Sequence, residues 1–360
     1  METNILLIGY DTNICLGVLF CLKDIEGSIF LLTHKKNNPA KYSKYLKGYY
    51  EYDELEEKDR IVDKIIKITE SNNIHLIMPI DENEVRLVSE YKDLLNTYAK
   101  CSLLPSVENF DIGVNKRRLA EILMENKVPS PPFIKVSNDH DVFLKAEQFG
   151  YPVLVKPSRG YSGYLIQRIN NEIELLEFLQ KETIKESEFI LQPFINGADI
   201  DCSVICKDGE IICYTIQQAI SNDPGFKPKE SIEFVHDIEV LHVSSQMMKI
   251  LNWNGVAHID LRRDNLDGKV KVLEINGRFW SSLVASHLKA KVNFPYIHVM
   301  LSLGKYVDAP EQKLAKQLSM KDYFKAKLSF GKNASLSDTK YGYYKSDMLA
   351  RSYQILEKLK

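Results

Sequence analysis

The chain reads as an α/β protein: a doubly wound parallel sheet in its amino-terminal part, then an α+β body built on antiparallel hairpins. Three observations predict this. Short apolar strands alternate with amphipathic helices over residues 4–90, the order that builds a parallel sheet. Further on, Asp208-Gly209 and Asp267-Gly268 separate runs of alternating polarity, as hairpin turns do. The length, 360 residues of which 44% are hydrophobic, exceeds one small domain and suits two or three lobes with cores of their own.

NILLIG (residues 4–9) is an apolar strand ending in glycine, followed by an apolar segment to Leu22 and a second strand near residues 28–32. Ile61, Ile65, Ile66 and Ile68 mark a helix over residues 58–70 that leads into the buried strand HLIMP, residues 75–79. Gly9 and Gly17 do not make the G-x-G-x-x-G fingerprint, so no dinucleotide site is expected. Asp81, Glu82 and Glu84 follow that strand where ligands meet such sheets, although capping the next helix is the simpler role for each. After a boundary near residues 106–111, a helix from NKRRL ends at the Pro129, Pro131 and Pro132 cluster. Then come a helix (141–149), the strand–loop–strand YPVLVKPSRGYSGYLIQRI, a helix (172–180) and the strand EFILQPF. Two hairpins and a basic helical tail complete the chain; from Lys305 onward it holds twelve Lys/Arg against six Asp/Glu.

Net charge is −2 with 27% charged residues, so nothing favours nucleic acid. The longest apolar run, ICLGVLFCL, is too short to span a bilayer, and METNILLIGYD lacks the basic start of a secretory signal. The six cysteines form no C-x-x-C pair and sit among apolar residues. These features predict a cytoplasmic protein with buried thiols, and a homodimer is the default assembly.

Chemistry concentrates at VLEINGRFW. On a strand, Glu274 and Asn276 share one face while Ile275 points into the core. In VAHIDL, His258 and Asp260 share a face in the same way, and the Asp267-Gly268 turn brings Asp260 opposite Glu274. Two carboxylates and an amide on one face suit a hard cation such as Mg2+. His258 is expected to be structural. Lys156 ends an apolar strand before a loop whose Ser158, Gly160, Ser162 and Gly163 are small enough to expose backbone N–H groups to anionic oxygens. LQPFINGADID passes from strand to extended linker, where unpaired backbone groups suit an adenine edge, with Asp199 and Asp201 following.

Lys116 in NKRRL, Lys156 in VLVKP forty residues on, LQPFINGADI, Asp260 and Glu274-x-Asn276-x-Arg278 resemble, in this order, the motifs of the ATP-grasp superfamily. The resemblance covers residues 109–310. It implies an amino-terminal α/β domain (1–108), a small central lobe (109–190), a metal-binding lobe (191–310) and a basic tail (311–360), a two-lobed α+β fold behind a parallel sheet. It further implies that Lys116 and Lys156 contact ATP phosphates with Ser158, Gly160, Ser162 and Gly163. Gln192, Pro193, Phe194 and Ile195 would line the adenine, and Asp199, or failing it Asp201, the ribose. Asp260, Glu274 and Asn276 would hold Mg2+, with Mn2+ as a substitute, and Arg278 the transferred phosphoryl group. Departures are a loop carrying Tyr161 and Tyr164, Gln192 where many relatives have glutamate, and N-G-R in place of N-P-R; none removes a needed charge. The implied activity is ATP-dependent ligation of a small carboxylate to an amine through an acyl phosphate. Activation of bicarbonate, as in carbamoyl-phosphate and carboxylase relatives, and a non-catalytic ATP-binding regulator are the alternatives.

Overall fold

A computed structural model describes residues 2–136, 140–160, 165–180, 188–220, 230–329 and 334–358. Its first sheet contains β1 (Ile5–Ile8), β2 (Ile29–Thr33), β3 (Gly48–Glu51), β4 (Leu76–Pro79) and β5 (Lys100–Cys101), all parallel, in the order β3-β2-β1-β4-β5. Both faces are covered, which is why these strands are continuous apolar runs. Ile5 and Leu7 pack with Ile14, Leu16, Val18 and Leu19 of the first helix, Thr12–Cys21, whereas Leu6 and Ile8 face Ile61, Ile65 and Ile68 of the helix Lys58–Ser71 and Val85 and Val88 of the helix Glu82–Glu90. Strand order reverses between β1 and β4, so a crevice opens where Gly9–Asp11 and Ile80–Asp81 leave the sheet.

The second sheet, β6 (Ile134–Lys135), β7 (Val153–Pro157), β8 (Gln167–Ile169) and β9 (Phe189–Pro193), is antiparallel in the order β6-β9-β7-β8. Helices His140–Phe149 and Glu172–Leu179 close its core around Val153, Val155, Leu175, Phe178 and Leu191. Because β9 runs from Phe189 to Pro193, it straddles the lobe boundary expected at 190/191.

The third sheet comprises β10 (Gly197–Lys207), β11 (Glu210–Ala219), β12 (Ile232–Phe234), β13 (Gly255–Asp264), β14 (Val270–Asn276) and β15 (Ala315–Gln317), in the order β14-β13-β10-β11-β12-β15. Both Asp-Gly pairs sit at hairpin turns. Asp208 and Gly209 take φ of 51° and 79°, the left-handed pair that the tightest turns require. The tail departs from a purely helical extension. Its first ordered element is β15, which pairs with β12, and its last helix, Met348–Lys358, returns to the amino-terminal domain and stacks Tyr353 on Tyr42 at 3.8 Å. No helix among the described residues is long and apolar enough to cross a membrane.

Candidate functional site

The register of the third sheet lines up two polar rungs across four strands. Glu274 pairs with Asp260, Asp260 with Asp201, and Asp201 with Gln217. One step along, Asn276 pairs with His258, His258 with Ser203, and Ser203 with Thr215. Alternation places all eight on one face, while Ile259, Ile275 and Cys202 enter the core behind them. The Asn276 amide donates to Asp260 at 3.4 Å. Burial, together with the charges of Glu274 and Asp201, pushes the Asp260 carboxyl well above its ordinary range.

The small lobe brings its lysines against this rung. Lys116 opens the helix Lys116–Glu125, capped by Asn115, whose side chain accepts from the Arg118 N–H at 3.0 Å. Its Nζ lies 3.1 Å from Glu274 and donates to the Gly160 carbonyl at 2.9 Å, while its backbone N–H donates to Ser158 at 2.8 Å. The lysine therefore pins the loop after β7 against β14. Lys156 is 6% exposed; burial lowers its ammonium to about 8, with Glu274 opposing the drop and Lys116 adding to it. For Glu274 the balance is reversed: burial resists ionisation, but Lys116, the hydrogen bond with Asp260 and Lys156 together hold it below its ordinary value. Such a face, with two cations set against carboxylates in a partly dry cleft, is built to receive further oxygen-rich anions and cations together.

Ser158 is buried, and its hydroxyl has no partner among the described residues. Gly160 adopts φ of 145°, a conformation other residues rarely reach, so the loop's bend depends on it. Ser162 and Gly163 lie outside the described residues. Gln192 is 3% exposed on the Lys156 side of its sheet, and its Oε1 has no partner among the described residues, leaving a buried acceptor unsatisfied. The Phe194 N–H is taken by the Pro152 carbonyl at 3.1 Å, and the Ile195 carbonyl accepts from Arg262 at 3.0 Å. Of the expected hinge, Pro193–Ile195 backbone groups are thus partly committed within the protein.

The two aspartates expected near a ribose are placed differently. Asp199 is gripped by Arg262, whose Nε donates to it at 2.7 Å. Asp201 stands in the carboxylate rung beside Asp260, with Gln217 donating to it at 3.1 Å. Burial raises the Asp201 carboxyl to about 7. His258, expected to be structural, also faces this rung. Its Nε2 is 3.4 Å from Asp260 and 3.9 Å from Asp201, its Nδ1 is 2.9 Å from the Ser203 hydroxyl, and its ring stacks on Trp280 at 5.5 Å. Burial drives its basicity down to about 3. Arg278 reaches away from Glu274 towards the amino-terminal crevice, where its Nε lies 3.8 Å from Glu82.

In that crevice Asp81 does not cap its helix as expected. Its carboxylate accepts from the Tyr10 and Asp11 N–H groups at 2.7 and 3.0 Å, tying β4 to β1. Burial, helped by the Glu84 charge, raises it to about 7. Glu84, also buried, accepts from the Tyr52 hydroxyl at 2.8 Å and lies 3.3 Å from His34, whose hydrogen bond to Glu84 raises its pKa. Sequence reasoning missed Gln217, Ser203 and the Glu82 contact of Arg278. The Asp208-Gly209 turn alone would oppose Asp201 to Ile216; the register shift between Ile205 and Cys206 brings Gln217 and Thr215 to the site face, and no turn signal encodes it, while the Glu82 contact depends on distant segments.

Residues 122–278 match the family model described as the D-ala D-ala ligase C-terminus. The matched stretch holds Lys156, Gln192, Asp260, Glu274 and Asn276, and the parallel α/β domain precedes it. Among its relatives, the carbamoyl phosphate synthase large chain of Methanocorpusculum labreanum is 26% identical over 174 residues, 46% of this chain but only 16% of that much longer one. The biotin carboxylase domain of Hydrogenobacter thermophilus 2-oxoglutarate carboxylase, solved as a dimer with MgADP, ADP and bicarbonate, superposes with a TM-score of 0.68 at 16% identity, over 88% of this chain and 73% of that one. The L-amino acid ligase of Bacillus licheniformis superposes with a TM-score of 0.64 at 18% identity, over 84% and 74%.

Proposed function

We propose that this chain is an ATP-dependent carboxylate–amine ligase acting on small molecules, with Mg2+ as its resident cation and Mn2+ as a substitute. The carrying observation is the Lys116–Glu274 contact at 3.1 Å, which sets the two lysines of the small lobe against the oxygen-bearing rung of the large one. Asp260, Glu274 and Asn276 offer the hard oxygen donors that Mg2+ prefers, and bound there it would supply charge neutralisation for phosphate oxygens. Lys116, Lys156 and the backbone of the loop at Ser158, Gly160, Ser162 and Gly163 would orient the phosphates. Gln192, with its unpartnered Oε1, would accept from the adenine amino group beside Pro193, Phe194 and Ile195. Asp199, once released by Arg262, is the ribose candidate in preference to Asp201, which belongs to the carboxylate rung.

In the reaction the substrate carboxylate attacks the γ-phosphorus, ADP leaves, and the amine then displaces phosphate from the acyl phosphate to give the amide. The protein's part is in-line positioning and electrostatic stabilisation, with no covalent nucleophile required. Arg278, at the mouth of the amino-terminal crevice, would hold the transferring phosphoryl group. The six cysteines, all buried and free, support a reducing cytoplasmic setting.

The test is trapping. ATP, the correct acid and hydroxylamine should give a hydroxamate and accelerate ADP release, and Arg278→Ala should suppress it at least tenfold per folded molecule. ATP hydrolysis stimulated by an organic acid without any hydroxamate would overturn the acyl-phosphate route. Stimulation by bicarbonate alone would move the reading to carboxy-phosphate chemistry.

A further inference from the structure

Beyond the Asp260, Glu274 and Asn276 set, we infer that Asp201, His258 and Asp260 form a second cation site, selective for a divalent ion that accepts imidazole nitrogen as well as carboxylate oxygen. One atom from each of the three lies within 4.8 Å of the others. The two aspartates are direct cross-strand partners, an arrangement that is destabilising for like charges. The neutral His258 ring stands between them, its Nε2 3.4 Å from Asp260 and 3.9 Å from Asp201, and brings no charge to offset the pair. Those distances exceed the ~2.7–2.9 Å of a charge-assisted hydrogen bond. They approach the ~3–3.5 Å that separates donors sharing one ion at ~2.1 Å.

Two further features point to a ligand. Gln217, 3% exposed, lays its amide against Asp201, and its Oε1 has no partner among the described residues, an oxygen donor beside the cluster with nothing to satisfy it. The imidazole is also prepared as a ligand. Ser203, fully buried, holds Nδ1 at 2.9 Å, and Trp280 stacks on the ring with 12° between planes, so Nε2 is fixed towards the two carboxylates. A mixed nitrogen–oxygen set disfavours Mg2+ and suits Mn2+ or a later first-row ion. Sharing Asp260, the two sites would form a pair of the kind that clamps a displacement from both sides.

The experiment uses the full chain, free of nucleotide, with Mn2+ as the probe. Equilibrium titration followed by electron spin-echo modulation should show 14N coupling to bound Mn2+. In His258→Gln the coupling should vanish and one class of Mn2+ site should weaken at least tenfold; Asp201→Asn should weaken that class while keeping the coupling at saturation. Absence of 14N coupling in the wild-type chain at saturating Mn2+, or undiminished binding by folded His258→Gln, would overturn the site. The wild-type measurement stands even where a variant fails to fold. Because no ATP is present, failure here leaves the ligase reading intact, and failure of hydroxamate trapping leaves this site intact.

Discussion

Replacing Lys156 by methionine should make the nucleotide-free protein more stable while weakening nucleotide binding. The buried ammonium has its pKa lowered from 10.5 to about 8, mainly by loss of solvation, even with Glu274 pulling the other way. At ~1.4 kcal/mol per tenfold change in proton affinity, holding this charge in the folded state costs about 3 kcal/mol at pH 7. The sign follows from proton binding. Between pH 8 and 10.5 the unfolded chain binds more protons at this position than the folded one, so the penalty is complete below pH 8 and fades as pH rises to 10.5. Methionine keeps the stem and removes the charge. Urea denaturation should therefore show Lys156→Met more stable than wild type by up to about 3 kcal/mol at pH 7, with the gap shrinking by pH 9.5. Calorimetric titration should show ATP bound roughly 10–100-fold more weakly, the worth of one charge-assisted contact. A variant no more stable than wild type at pH 7 would refute the desolvation argument. Unchanged ATP affinity would refute the phosphate role.

Glu274→Gln and Asn276→Ala should each abolish turnover at sub-saturating Mg2+ without altering the circular dichroism spectrum; wild-type rates in both would sink the metal assignment. Lys116→Ala should weaken ATP binding less than Lys156→Met, yet lower stability by about 1–2 kcal/mol in urea because partly buried Glu274 loses its 3.1 Å partner. Asp81, raised to about 7 by burial, withdraws stability as pH rises from 4 through 7, so Asp81→Asn should be more stable than wild type by up to about 4 kcal/mol above pH 7 and equal to it near pH 4. Thermal unfolding across that range checks it, and a gap independent of pH would refute it.

What could be read from the sequence was set by local physics. Continuous apolar runs such as ILLI and LIMP are strands buried on both faces, and their alternation with helices dictates a parallel sheet. The hairpin that carries Asp260 and Glu274 was legible because a turn signal sits between the two strands, but the register set at the turn would oppose Glu274 to Ile259, and the shift between Asp260 and Leu261 is what pairs it with Asp260. The place of Asp201 beside Asp260 was not legible because β10 joins β13 across some fifty intervening residues, and no turn chemistry encodes that register. Treated as part of a linker, Asp201 looked like a neighbour of Asp199 with a similar role. Placed on a strand beside β13, it belongs with Asp260.

The same limit hides the most consequential contact in the cleft. Arg278 follows the β13–β14 hairpin, and a purely local reading pairs it with Glu274, four residues before it. Glu274 instead meets Lys116, and Arg278 turns to Glu82 in the first helical turn beyond β4. Its guanidinium therefore lies between the polar face of the third sheet and the crevice of the first. A contact of 3.8 Å to a carboxylate is too long for a charge-assisted hydrogen bond, so it can be exchanged for an incoming anion at little cost. If Arg278 were only a structural tie, Glu82→Gln would lower stability and leave acid-dependent ATP hydrolysis unchanged. If it alternates between Glu82 and the transferring phosphoryl group, Glu82→Gln should free it, lowering the KM for the acid severalfold while changing stability by less than about 1 kcal/mol, the range of a partly exposed pair. Steady-state kinetics over the acid, with urea denaturation in parallel, separates the two, and an unchanged or raised KM refutes the exchange.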